Sequence, residues 1–163
     1  MSRSRTSSCA SSARAGLSIA ALALALALAC GKKPTPIAEL TAADAVVERE
    51  PAGGAWAAAP LGTQFFLGEA ARTGAGGCTL RVGGAAGAQI AMAPHTVLRF
   101  AGDAGQARIS VEAGAIDLAG AGSFALDVGS VTLSRDGAVR ITSRGVGRSS
   151  VELTIGAAQE IGR

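Results

Sequence analysis

Beyond residue 50 the apolar positions of this chain recur with a period of two. Cys78, Leu80 and Val82 alternate with Thr79 and Arg81, and Ile109 and Val111 alternate with Arg108, Ser110 and Glu112. Ile116 and Leu118 flank Asp117, and the same rhythm returns in Phe124/Leu126/Val128, Val131/Leu133, Val139/Ile141 and Val151/Leu153/Ile155. Such alternation sends successive side chains to opposite faces of half-buried strands of roughly four to seven residues. Gly83-Gly84, Gly102-Asp103, Ala113-Gly114, Gly120-Ala121-Gly122, Gly129-Ser130 and Asp136-Gly137 punctuate the runs. These residues tolerate tight reversals, and Asp136-Gly137 between two alternating segments is the strongest hairpin signal. No helical stripe follows residue 50, although Ile37–Val47 has room for a helical turn or two between Pro36 and Pro51. The pattern predicts an all-β body, either an antiparallel β-sandwich or a β-roll/solenoid-like domain of short strands.

The first 30 residues follow another rule. An Arg/Ser-rich start containing Arg3, Arg5 and Arg14 leads into an apolar run, Ala15–Ala29, that stops at Cys30. As a helix this run spans roughly 22 Å at about 1.5 Å per residue. A hydrocarbon core is about 30 Å thick, so the length suits the apolar core of a secretory signal better than a permanent span. Leu28-Ala29-Cys30-Gly31 resembles the lipobox of bacterial lipoproteins, with Ala27 where that family prefers a large aliphatic residue. The resemblance implies cleavage before Cys30 and diacylglycerol on its sulfur. Each buried methylene then contributes about 0.8 kcal/mol to the anchor. Gly31, standing where an Asp would signal inner-membrane retention, leans the expectation towards the outer membrane. From the residues alone, an ordinary signal peptide or an uncleaved anchor flanked by Lys32-Lys33 remain the alternatives. The expected organisation is a signal peptide over 1–29, a lipidated Cys30 with a flexible tether over 30–41, and the β domain over 42–163.

Charge then changes meaning. The net +3 equals the three arginines of the leader, and the other 12 Lys/Arg face 12 Asp/Glu. A neutral body lacks the surplus of cation that binding to phosphates requires, so nucleic acid is not an expected partner. Aromatic residues make up 3% of the chain, too few for a stacking platform, and the abundance of Ala and Gly predicts a thin core. Trp56 is expected to pack in the core or at a hinge, with ligand stacking as the alternative. Cys9 leaves with the leader and Cys30 carries lipid, which strands Cys78 as a small apolar core residue.

An ordered series of short motifs runs through the body. Ala45-Val-Val-Glu-Arg leads to Gly54-Ala-Trp56 and Pro60-Leu-Gly62, followed by Gly68-Glu-Ala-Ala-Arg72-Thr73-Gly74 and Cys78-Thr-Leu-Arg-Val82. Gln89-Ile-Ala-Met-Ala-Pro94-His95-Thr96-Val-Leu-Arg-Phe100 and Ile109-Ser-Val-Glu-Ala-Gly114-Ala-Ile116 complete it. The series resembles the FecR-type domain over roughly residues 45–142. It departs from that family at Ala70-Ala71, and a later Gly-Thr-x-Phe segment has no counterpart near Leu133–Thr142. In the family the domain follows a transmembrane helix and an anti-sigma segment and relays occupancy of an outer-membrane receptor. With a lipobox leader in that place, the resemblance implies a periplasm-facing sensing or scaffold partner of another envelope protein. A structural or glycan-binding envelope lipoprotein is the rival. Read as structure, Arg72-Thr73-Gly74 suits a turn with Gly74 at positive φ, and the Thr96 hydroxyl is placed to tie down nearby backbone.

Nothing in the sequence calls for catalysis, and no cofactor is expected. His95 is the single His, on a hairpin, and no G-x-S-x-G elbow accompanies it. Glu48, Glu50 and Asp103 do not form a ligand set with the lone Cys and His. No G-x-x-x-x-G-K occurs, so a P-loop is excluded. Arg140, Arg144 and Arg148 are separated by Gly145 and Gly147 and are expected on a solvated loop and strand edge, with a polyanion contact as the alternative. The site expected from sequence is therefore Cys30 for lipid, with no catalytic, cofactor or metal-binding residue.

Overall fold

The computed structural model describes residues 34–83, 87–103, 106–127, 129–135, 137–143, 149–155 and 158–162. Among them are fifteen strands and no helix. In chain order these begin with β1 (Ala38–Ala43), β2 (Val47–Glu50), β3 (Ala57–Ala58), β4 (Gln64–Phe65) and β5 (Ala70–Thr73). Next come β6 (Cys78–Val82), β7 (Ala88–Met92), β8 (Val97–Asp103), β9 (Gln106–Ala113) and β10 (Ala115–Ala119). The last five are β11 (Gly122–Leu126), β12 (Gly129–Leu133), β13 (Ala138–Ser143), β14 (Ser149–Ile155) and β15 (Ala158–Gly162).

Two sheets result. The first has the order β14-β13-β10-β7-β6-β1-β4 and the second β15-β12-β11-β9-β8-β5-β2-β3. One buried cluster joins them, with Leu40, Leu80, Ile90, Ile116 and Leu118 from the first sheet and Leu98, Phe100, Ile109 and Val131 from the second. The all-β, sandwich-like class read from the alternation is the one observed. The ladders are antiparallel except for β9 with β11, which run parallel with Leu126 opposite Ile109. Between these two strands the chain crosses to the first sheet to make β10. A hairpin cannot join parallel neighbours, and this crossing supplies the longer connection.

The sheet begins earlier than the hydrophobic rhythm suggests. Residues 38–41, read as tether, belong to β1, which lies between β6 and β4 with Leu40 opposite Leu80. Leu40 is 1% exposed, so a strand replaces the helical turn allowed for Ile37–Val47. Arg72 and Thr73 likewise lie within β5 rather than in a turn, and Gly74 does not take positive φ.

Two buried threonines stitch the sheets' connections together. Thr96 N donates to Thr73 Oγ1 at 2.9 Å, and Thr73 Oγ1 donates to Ala93 O at 2.7 Å. Thr96 Oγ1 donates to Ala115 O at 3.1 Å and accepts from Ala115 N at 3.2 Å. The tie that the Thr96 hydroxyl was expected to make is therefore present. Packing there is tight. Gly114 sits at φ +78°, and a Cβ on it would lie 2.4 Å from Thr96 Oγ1. No buried side-chain polar atom among the described residues lacks a partner, which is what a stable β core requires.

Candidate functional site

A concavity opens where strand ends of the first sheet face β9, β11 and β12 of the second. It has a volume of about 710 Å³. Ile37, Val82 and Gly83 form one wall, at the start of β1 and the end of β6. Ala107 and Ile109 of β9, Ser123, Phe124 and Ala125 of β11, and Ser130 of β12 form the other. The volume follows from side-chain size. Five of the nine lining residues are Gly, Ala or Ser, so the sheets part without filling the gap. The first wall is fixed by backbone bonds from Ile37 N to Phe65 O at 2.8 Å and from Gly83 N to Ile37 O at 3.1 Å. No lining residue carries charge. A pocket of a few hundred Å³ with apolar walls and a few hydroxyls matches the general form of small-molecule sites.

A second, polar recess of about 100 Å³ adjoins this cleft. Its walls include Glu39, Gln64 and Arg81, and it shares Ile37 and Gly83 with the cleft. Glu39 and Arg81 face each other across the β1–β6 ladder, with Arg81 Nη2 2.5 Å from Glu39 Oε2. The recess and the cleft share Ile37 and Gly83 at the end of the first sheet, with Glu39 and Arg81 on the face opposite the buried Leu40, Leu80 and Val82.

The outer face of the second sheet is chemically different. Glu48 and Arg72 are cross-strand partners, 2.6 Å apart, and the Arg72 guanidinium lies 4.4 Å from the centre of the Trp56 ring. Trp56 is thus half-buried under a cation and lies outside the core cluster, which removes the core from its two expected places. Arg99 reaches Glu50 at 2.7 Å and Glu112 at 2.5 Å. Ala70 stands in register between Glu50 and Arg99, and its short side chain lets the ion pair close over it. Ala70 and Ala71 are consequently both 0% exposed although they point to opposite faces. Arg49 pairs with Glu69, which also accepts from Phe66 N at 3.0 Å. The hydrogen bonds of Arg99 to Glu112 and Glu50, and of Arg49 to Glu69, push both guanidinium groups above their ordinary range. The carboxylates that read as scattered singles in sequence are the partners of these arginines. Glu48 and Glu50 are engaged in this way, and the Asp103 side chain lies outside the described residues.

The remaining sequence-derived residues distribute as follows. Cys30, Arg144 and Arg148 lie outside the described residues, as do the signal peptide, Asp136 and residues 31–33 of the tether. Cys78 is buried, as expected of a core residue, and its thiol is pushed up to about 12, first by burial and then by the Asp44 carboxylate. His95 is exposed at φ 55° in the β7–β8 turn. Arg140 is in β13, inside the sheet rather than at an edge, and faces Asp117 at 3.8 Å. Among the described residues no three His, Cys, Asp or Glu side chains converge on a metal-sized position. The cleft residues carry no sequence motif, because the walls draw on positions from 37 to 130. No protein-family model matches this chain, and neither a curated protein nor a solved structure does.

Proposed function

We propose that this chain is a lipid-anchored, periplasm-facing, FecR-like binding module of a bacterial envelope, acting without turnover as a sensing or scaffold partner of another envelope protein. The observation that supports this reading best is the uncharged cleft beside Ile37. It gives the body a ligand-sized feature next to the segment that leads back to Cys30. The paired arginines and carboxylates of the second sheet point the same way, because their charge is spent on one another rather than on a substrate. The motif series over residues 45–142 and the Leu28-Ala29-Cys30-Gly31 segment supply the family and the anchor.

Two measurements test it. Cells given radiolabelled palmitate are expected to label the wild-type chain and not Cys30→Ala; equal labelling, or none in either, ends the anchor reading. Affinity purification from solubilised membranes is expected to recover one defined envelope protein. Retention on peptidoglycan or polysaccharide instead moves the assignment to a structural or glycan-binding envelope lipoprotein.

A further inference from the structure

We infer that the cleft binds the hydrocarbon chain of a long-chain fatty acid drawn from the bilayer, with the carboxylate in the adjoining recess at Arg81. The apolar slot and the polar recess share Ile37 and Gly83 at the end of the first sheet, so a flexible molecule with a long apolar body has to bend over that rim to bring a polar end to Arg81 on the other face. Ile109, Phe124 and Val82 provide the apolar wall, and burial of each methylene against them contributes about 0.8 kcal/mol. At the other end, Arg81 is half-exposed, and its guanidinium carries more N–H donors than Glu39 alone can use. A linear carboxylate is the acceptor such a fork favours. Only six residues separate Cys30 from Ile37, a reach of at most about 25 Å. A chain anchored at Cys30 therefore holds this cleft within a short distance of the lipid surface. The source of the ligand rests on the proposed anchor, whereas the chemistry of the cleft does not.

The test uses the full-length chain carrying Cys30→Ala and the fluorescent fatty acid cis-parinaric acid. Saturable fluorescence enhancement is expected, reversed by added palmitate. Ala107→Trp and Ser130→Trp enter the cleft from exposed positions. Each is expected to weaken binding on the order of tenfold, with the circular dichroism of the sheets unchanged. Absence of saturable enhancement in the folded protein, or wild-type affinity in both Trp variants, overturns the proposal. Arg81→Gln is expected to weaken palmitate several-fold and to leave hexadecanol binding unchanged; equal loss for both overturns the place given to the carboxylate. The lipidated wild-type chain is expected to bind the probe as Cys30→Ala does. If it is refractory, the acyl chain on its own Cys30 fills the cleft and the bilayer ligand is excluded. Binding that persists in a chain that palmitate labelling shows to be unmodified at Cys30 removes the anchor and leaves the site standing.

Discussion

Two regions on either side of the Phe65–Phe100 ring pair solve the same geometric problem in opposite ways. On one side the chain crosses from β4 to β5, and the gap between sheets is closed by charge. Glu69 is 6% exposed, bonded to Arg49 and to the Phe66 amide, with the Arg49 guanidinium over the Phe66 ring at 5.8 Å. On the other side the sheets part at Ile37 and Phe124, and small uncharged residues leave the gap open. The two rings lie 5.8 Å apart and are fully buried, and Phe100 touches both regions: its N–H donates to Glu69 O at 2.9 Å and it stands opposite Ile109. Where the core is sealed, the chain uses an ion pair whose carboxylate accepts three hydrogen bonds. Where it is open, charge is kept out of the lining. That difference argues for a cleft that is kept, since a larger side chain at Ala107 or Ala125 would narrow it.

Phe100→Ala removes one ring of the buried pair and is expected to cost about 3–5 kcal/mol in urea unfolding, lowering both regions together. Glu69→Ala strips the partner from Arg49 and from the half-buried Phe66 amide, with an expected cost of about 2 kcal/mol and no change in fatty-acid affinity. A loss of affinity as large as that of the cleft variants means that the two regions are coupled. Phe124→Ala at the half-exposed rim is expected to cost less than about 1.5 kcal/mol while weakening the probe, the reverse of the Glu69 pattern. Smallest is the effect of Cys78. Below 9.0 the thiol holds its proton in folded and unfolded chains alike. Between 9.0 and about 12 the unfolded chain ionises first, so stability falls as pH rises through that window. Cys78→Ala is expected to abolish that component, and the folded wild-type thiol to resist Ellman's reagent at about pH 8.

Period-two alternation made β6, β10, β12 and β13 legible, because their buried positions are large aliphatics such as Leu80, Leu118, Leu133 and Ile141. It failed at β1 and β5, where the buried positions are mostly alanine. Ala38, Ala70 and Ala71 give no contrast with their neighbours, and in β5 the outward Ala70 is covered by a distant ion pair rather than by solvent. The core reading of Trp56 failed for the same reason. The cation above it, Arg72, comes from a strand that aromatic content cannot reveal. The cleft lay beyond sequence altogether, since it is defined by how far apart two sheets stand and by residues separated by up to about ninety positions. The ion pairs join residues that adjoin only through ladder register, so their pairing was equally hidden.

One feature of the topology bears on how such a chain comes to be folded. In each sheet every new strand is laid against one already in place: β6 on β1, β7 on β6, β10 on β7, β13 on β10 and β14 on β13. The other layer advances in step through β5, β8, β9, β11, β12 and β15. A polypeptide that emerges amino-end first therefore never has to wait for a later segment before the next one docks. Its assembly is vectorial, and the two-residue strands β3 and β4 cap the starting margin, so growth proceeds from a single side.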